Sequence, residues 1–161
     1  MAKDAERRAS VRLLQEVVRV IQAESSYRSI VRRVLALERL YSAAAADEAE
    51  RRLMRFQTEK MLFDAALDRG AVFRTVQRRF RAVLRLPCDY LPSYLISLVM
   101  MHIVFANYCG RRGRSRAGIR LLEGLATDLE RWKGSVPKGM LSYCRSQVAQ
   151  HLRRLRKGQL D

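Results

Sequence analysis

The sequence predicts an all-α fold, a single-domain bundle of six or seven helices around a central apolar helix at about residues 93–108. Three observations support this prediction. Apolar residues recur at alternating three- and four-residue steps over most of the chain, which is the spacing of one face of an α-helix. Glycine and proline interrupt that pattern at short intervals. The apolar fraction of 48% is high enough to build a buried core.

Four helices are predicted before the first proline: about 4–23, a second that follows Ser25 and Ser26, about 47–68, and about 71–86. The second begins after two serines, a residue type that suits a helix cap. The third opens with Asp47, Glu48 and Glu50, and acidic side chains are favoured at the positive end of a helix. Gly70 breaks the pattern after this helix. The fourth predicted helix carries a tight apolar stripe.

Three more helices are predicted towards the end of the chain: about 93–108, about 115–133, and one that begins at Pro137 and ends at Gly158. The first of these lies in a segment with no charged residue from Tyr90 to Gly110, a length that could span a bilayer. Pro92 and polar residues such as His102 shorten its unbroken apolar run. We therefore interpret it as the central core helix and do not expect a membrane span.

The loops between the predicted helices are short, so we expect residues 1–161 to form one all-helical domain, with a basic loop at 109–116 and a basic C-terminal tail at 153–161. The last helix has an apolar seam that could pack inside the bundle. The same seam is equally suited to joining two copies of the chain into a homo-oligomer. Its residues are Leu141, Cys144, Val148, Leu152 and Leu155.

The net charge is strongly positive, because 32 lysines and arginines stand against 16 acidic residues, which gives +16 at pH 7. Such a chain repels itself, and an acidic partner would stabilise it. Of the basic residues, 27 are arginine, whose planar guanidinium group pairs with phosphate at two points and stacks on bases. A GC-rich genome would favour arginine over lysine, but it would not produce the net charge.

The fourth predicted helix carries a row of arginines at Arg74, Arg78, Arg81 and Arg85. Steps of four, three and four residues place them on one face, away from the apolar stripe, over about 16 Å at ~1.5 Å per residue. The third helix mixes five basic residues with six acidic ones, whereas no acid occurs from Gly70 to Cys88. Unpaired arginines at this spacing repel one another. We therefore expect this face to be a binding surface, although a solvated charged face is the simpler alternative.

Two further clusters add to the basic surface. One lies in the predicted loop and the other near the C-terminus, and each is dense enough to bind phosphates. Either could also be a localisation signal. Their residues are Arg111, Arg112, Arg114, Arg116, Arg153, Arg154, Arg156 and Lys157.

These features predict a non-enzymatic protein that binds nucleic acid, DNA or RNA, mainly through phosphate contacts of its arginine clusters. Few aromatic residues lie among the arginines, so sequence-specific recognition by base stacking is not implied. The alternative is a protein–protein interaction module, such as a small subunit, adaptor or regulator, that docks its basic face on an acidic protein.

No motif of an enzyme or a metal site occurs. Cys88, Cys109 and Cys144 are an odd number and lack paired spacing, so we expect no disulfide framework, no metal and no cofactor. The first twenty residues lack the apolar core of a signal peptide. We therefore expect an intracellular protein, in the cytoplasm or at the nucleoid or nucleus, that is not secreted.

Overall fold

A computed structural model of the chain describes residues 2–45, 47–86 and 91–159. These residues form seven α-helices, one short 3₁₀-helix and no strand, which confirms the predicted all-α helical bundle. The helices are α1 (Ala2–Ala23), α2 (Tyr27–Ala43), α3 (Glu48–Asp68), α4 (Phe73–Leu84), α5 (Leu91–Arg111), α6 (Ser115–Arg131) and α7 (Lys138–Arg156), with the 3₁₀-helix at Trp132–Gly134.

The helices gather into two compact units, α1 to α4 and α5 to α7. The first unit covers Met1–Pro87 and the second covers Cys88–Asp161. The organisation of 1–161 as one domain stays a prediction.

The first unit is built around α3, which packs against α1, α2 and α4. Its buried residues extend over rather more than half of the helix circumference, as expected for a helix that contacts three others. One part of the core joins α3 to α1 and α2, with Leu13, Val17 and Ile30 fully buried. Another part joins α3 to α4, where the rings of Phe63 and Phe80 lie 6.0 Å apart. The buried residues of α3 are Met54, Phe56, Thr58, Leu62, Phe63, Ala65 and Ala66.

The second unit has α5 packed against both α6 and α7, which also pack against each other. The α5 and α6 backbones approach closely where Gly118 lies against the carbonyl oxygen of Ala106. Most described side chains of α5 are buried, including Leu95, Val99 and Ile103. None of the helices formed by the described residues is long and apolar enough to cross a membrane.

The apolar seam of α7 faces the interior of the second unit. Leu141, Cys144, Val148 and Leu155 are each at most 3% exposed, and α7 packs on α5 and α6. Four of the five seam residues are therefore covered within the chain, and Leu152 is half-buried, which agrees with a seam that packs inside the bundle; a homo-oligomer through this helix stays a prediction. The sequence pattern showed an apolar face, but it could not show which surface covers that face.

Candidate nucleic-acid interface

Four arginines form an exposed row on α4, which we call the α4 stripe: Arg74, Arg78, Arg81 and Arg85. The first three lie within the helix, and Arg85 is the residue that caps its end. The opposite face of α4 buries Val76, Phe80 and Val83 in the first unit. The predicted separation of a charged face from an apolar face is therefore present in the structure.

The α4 stripe differs from the neighbouring helix α3 in its ion pairs. Among the described residues, none of its four guanidinium groups forms an ion pair. On α3 the situation differs, because Arg51 and Arg52 both pair with Glu48 at 3.2 and 3.3 Å. The acid-free sequence of α4 thus produces a row of like charges that mutual repulsion destabilises unless an anion lies against it.

Arg79 is an arginine of α4 that does not belong to the α4 stripe, and sequence reasoning missed its structural role. Its guanidinium Nη1 lies 3.1 Å from Oε2 of Glu59, and the two side chains are only 12% and 13% exposed. Its Nε donates to the hydroxyl of Tyr27 at 3.1 Å, and this hydroxyl donates to the carbonyl oxygen of Leu62 at 3.2 Å. Burial raises the pKa of Tyr27, so the hydroxyl keeps its proton. Arg79 therefore fastens α4 to α2 and α3.

The two other predicted clusters come together at one end of the second unit. The last part of α5 lies beside the last part of α7, since Nδ2 of Asn107 is 3.4 Å from Nδ1 of His151. The first half of α6 lies beside the end of α7, since Arg156 donates to Glu123 at 2.7 Å. We call the resulting group the helix-end cluster: Arg111, Arg112, Arg114, Arg116, Arg120, Arg153, Arg154, Arg156 and Lys157.

The chain around the helix-end cluster is more regular than predicted. The predicted loop 109–116 is reduced to a turn at 112–114, because α5 continues to Arg111 and α6 begins at Ser115. Gly113 has φ of +72°, and the N–H of Arg114 donates to the carbonyl of Cys109 at 2.8 Å, which is the bonding of a Schellman turn. The predicted tail is likewise helical up to Arg156.

Helix electrostatics account for part of this cluster only. Arg111 in α5, and Arg153 in α7, lie in the last turn of a helix, where a positive charge is favoured by the helix dipole. Arg116 lies in the first turn of α6, where a positive charge is disfavoured, and that turn contains no acid. Helix stability therefore does not explain the arginines at the start of α6.

His102, Cys109 and Cys144 are buried in the second unit. The Nδ1–H of His102 donates to the carbonyl of Leu98 at 2.7 Å, and burial lowers the pKa of its ring, which stays neutral at pH 7. Burial raises the pKa of the Cys109 and Cys144 thiols. Within the described part of the chain, no three His, Cys, Asp or Glu side chains lie close enough together to hold a metal. Cys88 lies outside the described residues.

No protein-family model matches the chain, and neither a curated protein nor a solved structure matches it. The fold and its two basic surfaces define an all-α protein with one arginine-rich surface on each of two helical units.

Proposed function

We propose that this protein is a non-enzymatic nucleic-acid-binding protein whose affinity comes mainly from contacts between arginines and phosphates. The observation that carries the proposal is the α4 stripe, four exposed guanidinium groups in a row without an ion pair among the described residues. Arginine suits this role because its planar fork pairs with phosphate at two points.

The geometry of the α4 stripe fits a chain of phosphates better than a single anion. Arg74 and Arg85 lie eleven residues apart, which corresponds to about 16 Å along a helix at ~1.5 Å per residue. Each strand of a duplex carries one phosphate for every ~3.4 Å of the helix axis, so the stripe is long enough to meet more than one phosphate. The charges of the helix-end cluster add a second surface that attracts the same class of partner.

The test is binding of the purified protein to labelled duplex DNA and to RNA, over a salt series of about 50 to 300 mM. We expect an affinity that falls steeply with salt, because each phosphate contact contributes about 0.9 to the slope of log K against log salt. Replacing the four arginines of the α4 stripe by alanine should weaken binding and make that slope less negative by about three to four.

A charge-matched variant distinguishes the α4 stripe from the total charge. Arg12, Arg28, Arg32 and Arg39 are also exposed residues of the first unit, and replacing all four by alanine removes the same net charge. If the α4 stripe contacts phosphates, this control keeps most of the wild-type slope. An equal loss in both variants would remove α4 from the binding surface.

Weak binding of the wild-type protein even at low salt would contradict the proposal altogether. In that case the basic surfaces would instead belong to a protein–protein interaction module for an acidic partner. Affinity purification would then recover one protein in a fixed ratio to this chain, and the α4 variant would lose it.

A further inference from the structure

One arginine of the helix-end cluster is held over an aromatic ring. The guanidinium carbon of Arg112 lies over the ring of Tyr108, 5.4 Å from its centroid, which is within the range of a cation–π contact. Tyr108 is 8% exposed, and its ring stacks on Phe105 with a centroid distance of 6.3 Å and an interplanar angle of 25°. Tyr108 is thus part of the core, and the guanidinium group of Arg112 lies over its ring.

The backbone also fixes Arg112. Its N–H donates to the carbonyl oxygens of Tyr108 and Cys109, both at 3.2 Å. The residue caps the end of α5, directly before Gly113, whose positive φ forms the turn. A long side chain normally loses considerable conformational entropy when it binds, but here the contact with the ring already limits the positions of the guanidinium group.

The outer side of the Arg112 guanidinium group is open. Arg112 is an exposed residue, and it forms no ion pair with a carboxylate among the described residues. Its neighbours in the turn and at the start of α6 are also arginines, so a ligand next to it would have phosphates within reach of several cations. A flat group that stacks on a guanidinium plane, attached to phosphates, is a nucleotide with an unpaired base.

We infer that the helix-end cluster binds unpaired nucleotides, with one base stacked on the Arg112 guanidinium group and the adjoining phosphates held by the surrounding arginines. This inference rests on the proposed function and narrows it to single-stranded or looped nucleic acid at this surface. Within the described part of the chain, no arginine of the α4 stripe lies over an aromatic ring, so this stripe would bind the phosphate backbone of either form.

The experiment compares Arg112→Lys with Arg116→Lys in the full-length protein. Both variants keep the charge and lose the planar guanidinium group, but only Arg112 lies over a ring. The probe is a single-stranded oligonucleotide with one 2-aminopurine, a base whose fluorescence is quenched when it stacks. The same probe annealed to its complement is the control. We expect Arg112→Lys to weaken single-strand binding about fivefold or more, and to reduce the quenching.

A set of oligonucleotides with single abasic positions identifies the stacked base directly. Wild type should lose affinity when the stacked base is absent, whereas Arg112→Lys should be insensitive to the same deletion, because the two changes remove one interaction. Both variants keep the charge, so they should change duplex binding to a similar extent and leave the salt slope of duplex binding as in wild type.

Two results separate the failure of this inference from the failure of the proposed function. If Arg112→Lys and Arg116→Lys behave alike while wild type still binds with a steep salt dependence, stacking on Arg112 is wrong and phosphate binding stands. If wild type binds neither single strand nor duplex at low salt, both are wrong.

Discussion

The close contact between α5 and α6 predicts that the same substitution, glycine to alanine, changes stability in opposite directions at two positions of α6. A Cβ atom added at Gly118 would lie 2.6 Å from the carbonyl oxygen of Ala106. This is about 0.8 Å less than the 3.4 Å at which ordinary contact begins, and the obstacle is backbone, which does not rotate away. Gly118→Ala must therefore push α5 and α6 apart or distort one of them.

The expected size of the effect has two parts. Overpacking in a well-packed core costs about 1–3 kcal/mol. Against this, alanine is favoured over glycine inside a helix by about 1 kcal/mol. For a contact with rigid backbone at this distance we expect the first part to be larger, so that Gly118→Ala lowers the free energy of unfolding by about 1–2 kcal/mol.

Gly124 is a matched control on the same helix. A Cβ atom there meets nothing within 4 Å, so Gly124→Ala should raise the free energy of unfolding by up to about 1 kcal/mol. Urea unfolding followed by the helical circular dichroism signal measures both changes. If the two substitutions shift stability in the same direction, the proposed close packing of α5 on α6 at Ala106 is refuted.

Two further predictions concern buried polar groups. Arg79→Met should cost about 3 kcal/mol, because it leaves the carboxylate of Glu59 buried without its partner. The double variant Arg79→Met/Glu59→Leu should cost less than the two single changes together, and additive costs in urea unfolding would contradict the pairing. His102 should make the protein sensitive to acid: burial lowers its folded-state pKa below the ordinary value of about 6.5, so the unfolded chain binds the proton more readily. The free energy of unfolding should be highest above about pH 6.5 and should decline as pH falls through the folded-state pKa of His102. His102→Gln should reduce this decline. If wild type and His102→Gln have equal pH profiles, His102 is not responsible.

Local patterns in the sequence predicted the helices well because the relevant interactions are local. Asp47 is an example: an acid before an acidic first turn predicted the start of α3. In the structure its carboxylate accepts the N–H of Glu50 at 2.7 Å. The α4 stripe was predictable for the same reason, since helical spacing alone decides which residues share a face.

The central place of α3 was not predictable from its pattern. Its apolar residues are mixed with charged ones around the helix, so no single apolar face stands out, whereas α5 was easily recognised as apolar. The charged side chains of α3 can lie at the helix surface between its neighbours, and Glu59 is the clearest case, since its partner Arg79 comes from a different helix. A partner 20 residues away in the chain leaves no periodic signal in the sequence.

The meeting of two basic clusters at one end of the second unit also depends on tertiary structure. The sequence showed the clusters around Arg112 and Arg154 as separate segments. Only the packing of α7 alongside α5, marked by the contact of Asn107 with His151, brings them together. The ring of Tyr108 under Arg112 was missed because its position four residues earlier, inside an apolar helix, reads as an ordinary core residue.

The distribution of ion pairs bears on whether the excess of arginine reflects function or genome composition. A bias in codon usage changes which basic residue is used, but it does not decide whether an acid lies nearby. In α3, where acids are interleaved, Arg51 and Arg52 pair with Glu48. On α4 the partly buried Arg79 still obtains a carboxylate from α3, while the four exposed arginines obtain none from the described residues. A buried arginine needs a carboxylate partner, whereas an exposed arginine does not. A row of exposed arginines without carboxylate partners is therefore the pattern expected of a face kept positive for an anionic partner.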